Sequence, residues 1–325
     1  MKSGKILINL LLSIIVGILL IFSFAIISPT SKDIIKGYID DSSIDSKKKY
    51  VESTINRYDG EPSWYPTTEN NTYSQPQIAG QAGLLVEINS GDVLFEKNSS
   101  ERRPIASLVK IMTAVIALEH MGLEDKVYIT QEIADIGENS MQLSKGEIYN
   151  LEELLYGLIL HSGNDAAYAI AEGVAGNSDR FIDWMNIKAG ELGMLDTHFS
   201  DPSGLDDTTF STPTDLVKLT RYALKNPEFR KISGTLEKEI FNGNNTHKYM
   251  YLYNQTNLLS TYPGVAGIKT GFTEEAGLSL VTYSSNEGKE VVGVVLNSID
   301  RKGDMILMLD HGFESLGIHI EHNLL

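Results

Sequence analysis

The pattern of hydrophobic and polar positions divides this chain into three parts. Residues 6–27 form an apolar run without a charged side chain, and residues 29–78 are polar, proline-containing and almost without periodicity. From residue 79 the apolar positions recur with the periods of strands and helices. A polar, aperiodic segment buries too little apolar surface to offset its ordering entropy. The pattern therefore predicts a folded domain over residues 79–325, preceded by a disordered linker.

Strand-like and helix-like patterns alternate within the predicted domain. The predicted strands, rich in β-branched side chains and bounded by turn residues, are residues 84–88, 93–96, 266–272, 278–284 and 290–297. The predicted helices begin near residues 107, 151, 164, 179, 214 and 303. Strands at both ends of the domain with helices between them predict an α+β fold, in which an antiparallel sheet is flanked by helices.

The N-terminal apolar run is long enough to cross the roughly 30 Å hydrocarbon core of a membrane as a helix. Lys2 and Lys5 precede it and favour a cytoplasmic N-terminus, although lysines also follow the run. A cleaved signal peptide is the alternative, but its apolar region is usually only about 7–15 residues. We expect residues 1–28 to be a membrane anchor or signal segment, residues 29–78 an extracytoplasmic linker, and the domain to lie outside the cytoplasm.

Composition excludes several classes of protein. The 325 residues carry a net charge of -16, which argues against nucleic-acid binding, since phosphate recognition needs clustered lysine and arginine. There is no cysteine, so disulfides, thiolate nucleophiles and cysteine-ligated zinc are excluded. The histidines His319 and His322 are closely spaced, but no His-Glu-x-x-His helix accompanies them, so a zinc peptidase is disfavoured. A Ser-His-Asp hydrolase of the α/β type would need a Gly-x-Ser-x-Gly motif, which is absent.

Three short motifs carry the candidate chemistry. They are Ser107-x-x-Lys110, Ser162-Gly163-Asn164 and Lys269-Thr270-Gly271. Each pattern also occurs elsewhere, in residues 46–49, 284–286 and, in a relaxed form, 2–4. Those copies fall in the linker, at a turn and at the extreme N-terminus, whereas the three motifs fall at element boundaries where side chains can converge.

The first motif combines a candidate nucleophile with a candidate base. Ser107 is expected in the first turn of its helix, where unpaired amides and the helix dipole favour negative charge. Lys110 lies on the same helical face. It can act as a base only if desolvation or a second cation lowers its pKa, and we expect Lys269 to be that cation. The alternative for Ser107 is a simple helix cap, and for Lys110 a solvated lysine, although its neighbours are apolar.

The other two motifs supply candidate binding groups. Ser162 could relay a proton, and Asn164 could bind a substrate amide or the Lys110 ammonium; the alternative is a helix C-cap at Gly163 and an N-cap at Asn164 or Asp165. An extended peptide could add to the edge of the strand that holds Lys269, Thr270 and Gly271. Its oxyanion would then lie between the amides of Ser107 and Phe272.

These motifs resemble those of penicillin-binding proteins and class A β-lactamases. Their amino-acid sequences are similar to those of the low-molecular-mass D-alanyl-D-alanine carboxypeptidases, and the similarity extends over residues 83–316. The closest matching stretches are residues 105–114, 162–167 and 267–273, with further similarity at 191–194 and 197–199.

The resemblance implies a β-lactamase/DD-peptidase-like fold, with an all-helical subdomain beside the sheet, and an acyl-enzyme mechanism without metal or cofactor. Ser107 would be the nucleophile, Lys110 the general base, and Ser162 and Asn164 the second motif. Lys269 would bind the terminal carboxylate of a peptidoglycan stem peptide, and β-lactams would be covalent inhibitors. Arg301 resembles an arginine that helps to bind this carboxylate, although a surface position would explain it equally well.

Alternatives remain within and beyond this family. Single-domain relatives include DD-endopeptidases that cut peptidoglycan crosslinks. A class A β-lactamase would add a glutamate in a Glu-x-x-Leu-Asn context, which is absent after Asn164. A non-catalytic wall-binding or sensor protein would be expected to lack a motif residue, and none is lacking.

Overall fold

The computed structural model describes Tyr50 and residues 64–67, 75–242 and 245–324. Its strands are β1 (Ala82–Glu87), β2 (Val93–Lys97), β3 (Arg103–Pro104), β4 (Lys126–Tyr128), β5 (Ile148–Asn150), β6 (Phe210–Ser211), β7 (Glu237–Ile240), β8 (Met250–Tyr253), β9 (Val265–Gly271), β10 (Leu278–Asn286) and β11 (Lys289–Ser298). Its helices are α1 (Lys110–His120), α2 (Gln131–Ala134), α3 (Leu151–Tyr156), α4 (Asn164–Ala175), α5 (Ser178–Glu191), α6 (Pro213–Leu224), α7 (Pro227–Ser233) and α8 (Arg301–Ser315). A 3-10 turn, Ala106–Val109, precedes α1, and a π turn, Gly157–His161, continues α3.

Five of these strands form an antiparallel sheet in the order β2-β1-β11-β10-β9. Glu287 and Gly288 both have positive φ in the turn between β10 and β11, as a tight hairpin of this hand requires. Pairing of β1 with β11 joins the two ends of the domain. The predicted α+β fold with an antiparallel sheet is thus confirmed.

The sheet is buried on both faces. Along β11, Val292, Val294 and Leu296 belong to one apolar cluster, whereas Val291 and Val295 belong to the other. Successive side chains of a strand point to opposite faces, so this alternation assigns one cluster to each face. Helix α8 packs on the second cluster, and α6 packs on the face that meets the helical part of the domain. Because both faces of β11 are buried, its sequence is apolar at nearly every position.

Helix α1 lies at the centre of the helical part, and all of its residues are buried. The helices α4, α5, α6 and α7 contact it. Burial on every side of this helix, and not along one stripe, places Lys110 in the interior. The strand pair β4–β5 lies within this part, so the described subdomain is not all-helical as predicted. These strands have three residues each, too few for a periodic signal.

Some residues of the predicted linker lie against the domain. The Tyr50 ring is buried, and its hydroxyl donates a hydrogen bond to Glu191 Oε2 (3.1 Å). Thr67 forms a β-bridge with Asp92, and the Trp64 ring lies 4.5 Å from the guanidinium carbon of Arg221. The boundaries at residues 28 and 78 stay predictions.

Among the helices of the described residues, none combines the length and apolarity needed to cross a membrane. The apolar segment of residues 6–27 lies outside the described residues. The predicted anchor is therefore neither confirmed nor contradicted.

Candidate active site

Ser107 and Lys110 lie at the junction of the 3-10 turn and α1. The turn begins at Ala106, which has a φ of 46°, and it leads directly into Lys110, the first residue of the helix. The three-residue spacing places both side chains on one face, where Lys110 Nζ lies 2.8 Å from Ser107 Oγ. The local spacing predicted by the sequence thus brings a lysine nitrogen within hydrogen-bonding distance of the serine hydroxyl.

Two carbonyl oxygens complete the surroundings of Lys110 Nζ. It donates to Asn164 Oδ1 (2.8 Å) and to the backbone oxygen of Ser203 (2.5 Å). A carbonyl oxygen only accepts, whereas the Ser107 hydroxyl can donate or accept. A neutral amine has two N–H groups and one lone pair. The ammonium can donate to all three oxygens, and once it has lost a proton the amine keeps its two carbonyl partners and directs its lone pair at the Ser107 hydroxyl.

Burial lowers the pKa of Lys110 from its ordinary value to about 7, while the negative charges of Asp201, Asp165 and Glu138 oppose this shift. The side chain is fully buried, and desolvation disfavours the charged form of an amine. The sequence analysis assigned the shift to the second cation, Lys269. Burial is instead the main cause, and the repulsion between the two lysines is expressed as a lowered pKa of Lys269.

The second motif stands on an irregular piece of backbone. The π turn after α3 ends at Ser162, which adopts a left-handed conformation with a φ of 63°. Such turns and conformations concentrate at functional sites. Asn164 does not cap α4 as predicted; Gly163 is the N-cap and makes no side-chain cap. Asn164 instead accepts from Lys110, while its Nδ2 donates to the Gly137 carbonyl (3.3 Å), which defines the orientation of the amide.

Asp165 anchors the loop that faces the second motif. Its carboxylate accepts hydrogen bonds from the Ser140 hydroxyl (2.7 Å) and from the amides of Met141 and Leu143 (2.9 Å each). A hydrogen-bonded carboxylate of this kind holds a loop in one conformation. Asp165 also accepts from the Ala166 amide in the first turn of α4 (2.9 Å), so its carboxylate both anchors the loop and satisfies an amide at the helix terminus.

The third motif ends strand β9. Lys269 is buried and its Nζ donates to the Thr270 carbonyl (3.1 Å). Burial, followed by the charges of Lys110 and Arg301, lowers the pKa of Lys269 well below its ordinary value. A Cβ on Gly271 would stand 2.9 Å from the Ile105 carbonyl oxygen. The glycine thus permits β9 to pack closely against the Ser107 turn, and the approach of a substrate backbone at this position stays a prediction.

The three motifs meet at a cleft of about 400 Å³. Of the predicted site residues, those that line it are Ser107, Ser162, Asn164, Thr270, Gly271, Phe272 and Arg301. Lys110 and Lys269 are buried beside this lining. Phe272 is 56% exposed, so its ring is available to a ligand. Arg301 Nη1 donates to the Gly271 carbonyl (2.8 Å), which places this guanidinium in the cleft instead of at a remote surface.

Sequence reasoning missed the turn formed by residues 201–205. The Asp201 carboxylate is buried and accepts hydrogen bonds from the Ser203 hydroxyl (2.6 Å) and from the amides of Gly204 (2.8 Å) and Leu205 (3.0 Å). A Cβ on Gly204 would stand 2.1 Å from the Ala106 carbonyl oxygen, so the turn lies directly against the nucleophile segment. The sequence Asp-Pro-Ser-Gly indicates a turn, but not its contact with Lys110.

The change Asp201→Asn is expected to shift the pH dependence of acylation towards lower pH. Burial lowers the pKa of Lys110 and Asp201 supplies the largest opposing charge, so removal of this charge lowers that pKa further. The measurement is the rate of acylation by penicillin between pH 5 and 9. Asp206→Asn is the matched control, because that carboxylate accepts only from Thr208 among the described residues. Equal profiles for wild type and Asp201→Asn would contradict the electrostatic coupling.

In the described residues, no group of three or more histidine or carboxylate side chains is placed to hold a metal ion. His319 and His322, the pair considered in the sequence analysis, instead face Glu314 Oε2 (3.4 Å) and Asp310 Oδ1 (2.8 Å).

A serine hydroxyl beside a buried lysine, in a cleft between a sheet and a helical part, is the arrangement of a class of serine hydrolases. The chain belongs to the D-alanyl-D-alanine carboxypeptidase family of serine peptidases, whose model matches residues 69–300. The resemblance stated from the sequence is thereby confirmed.

Individual relatives agree with this assignment. The D-alanyl-D-alanine carboxypeptidase DacF of Bacillus subtilis is 33% identical over 79% of this chain and 68% of its own length. The D-alanyl-D-alanine endopeptidase of Escherichia coli is 34% identical over 72% of this chain and 76% of its own length. Among solved structures, the Streptomyces K15 DD-transpeptidase superposes with a TM-score of 0.70 at 34% identity, covering 74% of this chain and 100% of its own.

Proposed function

We propose that this chain is a penicillin-sensitive carboxypeptidase that removes the terminal D-alanine from peptidoglycan stem peptides through an acyl-enzyme on Ser107. The observation that carries the proposal is the contact of 2.8 Å between Lys110 Nζ and Ser107 Oγ, made by a lysine side chain that is fully buried. A serine hydroxyl is a weak nucleophile unless an adjacent base takes its proton. Lys110, with a pKa lowered by burial to about 7, is that base.

Acylation proceeds by transfer of the Ser107 proton to Lys110 Nζ while Oγ attacks the carbonyl carbon of the penultimate D-alanine. The oxyanion lies between the backbone amides of Ser107 and Phe272, whose dipoles stabilise the developing charge. The carbon–nitrogen bond then breaks, and the departing amine of D-alanine receives a proton from Lys110 through the Ser162 hydroxyl. Water subsequently hydrolyses the ester, which releases the shortened peptide and restores Ser107.

Binding of the substrate carboxylate is assigned to Lys269, Thr270 and Arg301. Arg301 and Thr270 line the cleft, and the Lys269 side chain is buried beside it. The carboxylate would stabilise the charged form of Lys269, a cation that burial otherwise disfavours. A free carboxylate at the end of the substrate thus distinguishes a carboxypeptidase substrate from an internal peptide bond.

The domain is placed outside the cytoplasm, where peptidoglycan lies. Residues 1–28 would be the single membrane anchor or a signal segment, residues 29–78 the linker and residues 79–325 the catalytic domain. The support for the anchor is the uncharged run of residues 6–27.

The endopeptidase activity is the second candidate, because a relative of that name is 34% identical to this chain. Mass spectrometry of muropeptides incubated with the full chain in detergent separates the two. Loss of one D-alanine from pentapeptides is expected for the carboxypeptidase, whereas conversion of crosslinked dimers to monomers would establish the endopeptidase. If penicillin acylated Ser107 but no pentapeptide lost D-alanine and no dimer became monomers, both the carboxypeptidase and the endopeptidase activity would be refuted.

A further inference from the structure

The hairpin of β7 and β8 exposes an aromatic face to solvent. Alternation along both strands buries Ile240, Met250 and Leu252 and turns their neighbours outward. We call the outward set the hairpin face; its members are Glu237, Glu239, Phe241, Tyr249, Tyr251 and Tyr253. The four aromatic side chains are 49–66% exposed. Contiguous exposed aromatic surface of this kind marks interaction sites.

Three of the four rings of the hairpin face are held in place by their neighbours. The Tyr249 hydroxyl donates to Glu239 Oε1 (3.0 Å), and the Tyr251 hydroxyl donates to Glu237 Oε2. The ring centroids of Phe241 and Tyr249 lie 5.9 Å apart. Side chains that are already ordered lose less entropy when a ligand binds. The hairpin face is therefore preorganised to bind a ligand that lies flat across it.

The hairpin face lies close to the active-site cleft along the chain. Two residues beyond Tyr253, the chain reaches Gln255, which lines the cleft. The Gln255 amide donates to the Leu160 carbonyl (3.2 Å) and its Nε2 donates to the His161 carbonyl (3.1 Å), immediately before Ser162. Tyr253 and Tyr251 are two and four residues from Gln255, so at most about 7 and 14 Å of chain separate them from it. A polymer with one branch in the cleft can reach both rings.

We propose that the hairpin face binds the glycan strand of peptidoglycan while a stem peptide of the same polymer occupies the cleft. This inference rests on the proposed function for the identity of the polymer. The C–H faces of sugar rings pack on aromatic rings, and sugar hydroxyls donate hydrogen bonds to carboxylates such as Glu237 and Glu239. The six members of the face include two carboxylates and no cation, so an anionic ligand such as a phosphate-rich polymer is disfavoured.

The test is co-sedimentation of the full-length Ser107→Ala protein, in detergent, with glycan strands from which an amidase has removed the stem peptides. Use of the inactive variant separates glycan binding from catalysis. The variant under test adds Tyr251→Ser and Tyr253→Ser to the Ser107→Ala protein. These two changes are expected to weaken glycan binding about tenfold or more, since exposed tyrosines are frequent energetic anchors of binding surfaces. Tyr251→Phe is expected to retain most of the binding, because the ring remains.

Tyr65→Ser is the matched control, since Tyr65 is 47% exposed beside the turn between β1 and β2, at the edge of the sheet opposite β9, and this change should leave glycan binding as it was. In the active protein, the ratio of D-alanine release from polymeric peptidoglycan to release from a soluble pentapeptide should fall for the double variant. Absence of binding of the Ser107→Ala protein to stripped glycan, or equal loss in the Tyr65 variant, would overturn the inference. The inference would also be overturned if analytical ultracentrifugation showed a dimer that the double variant abolishes, while the double variant still bound stripped glycan.

The proposed function can fail without this inference failing. If stripped glycan binds through the hairpin face but no muropeptide changes mass, the hydrolytic function is refuted and the glycan site stands. If muropeptides lose D-alanine but stripped glycan does not bind, the glycan site is refuted and the carboxypeptidase stands.

Discussion

Replacement of Ser107 by alanine is expected to abolish acylation by penicillin and to lower D-alanine release by at least about 10⁴-fold, as removal of a catalytic nucleophile does in other serine peptidases. The hydroxyl oxygen that lies 2.8 Å from Lys110 Nζ forms the covalent bond in the proposed mechanism, and alanine has no atom to replace it. The measurement is the mass of the intact protein after incubation with benzylpenicillin, together with the rate of D-alanine release.

The matched control is Ser46→Ala, which removes the serine of the second Ser-x-x-Lys pattern in residues 46–49. This variant should be acylated like the wild type. A thermal unfolding curve shows whether the Ser107→Ala protein remains folded. Acylation of the folded Ser107→Ala protein at wild-type stoichiometry would refute the assignment of the nucleophile.

Replacement of Lys110 by methionine is expected to slow acylation by about 10²–10⁴-fold, the usual contribution of a general base. Methionine fills much of the same buried volume but offers no proton acceptor. Lys110→Arg provides the second comparison, because arginine keeps a positive charge and does not lose its proton in proteins. If Lys110 acts as a base, both variants lose activity, whereas a purely electrostatic role would leave the arginine variant active. The rates of acylation are measured by stopped flow. Lys49→Met is the control, because Lys49 belongs to the second Ser-x-x-Lys pattern, in residues 46–49.

The pH dependence of acylation follows from the same residue. Burial lowers the pKa of Lys110 to about 7, so the amine is protonated below this pH and neutral above it. Only the neutral amine can accept the Ser107 proton. The wild-type rate should therefore rise with pH through about 7 and then level off, and this rise should be absent in Lys110→Met. A wild-type rate that is constant from pH 5 to pH 9 would contradict the base assignment.

Much of the fold could be predicted from the sequence, because its long elements have strong local signals. The strands β10 and β11 are β-branched runs joined by a turn with glycine, and the helices α4, α5 and α6 have regular apolar spacing. The short strand pair β7–β8 was missed. Only four residues lie in each of its strands, and the solvent-facing positions hold tyrosines, so the apolar alternation is obscured.

The candidate site was predictable in its composition but less so in its contacts. Ser107 and Lys110 are three residues apart, so helical geometry alone brings them together. A helix-cap role for Asn164 was the alternative, because asparagine at the start of a helix suits that role equally well. The structure directs its amide to Lys110 instead, a contact that joins residues 54 positions apart. Local rules cannot choose between a cap and a long-range partner.

The sequence by itself determined the motifs, their order and the local pairing of Ser107 with Lys110, because these depend on residue identity and on the geometry of a single helical turn. Only the tertiary structure decided that Lys110 is buried and that the Ser203 carbonyl and Asn164 are its acceptors. It also decided that Asp201 holds the turn of residues 201–205 against the Ser107 segment. The physical reason is that desolvation and long-range hydrogen bonds depend on how distant segments pack. The pKa of a lysine responds to that packing, whereas its place in a motif does not.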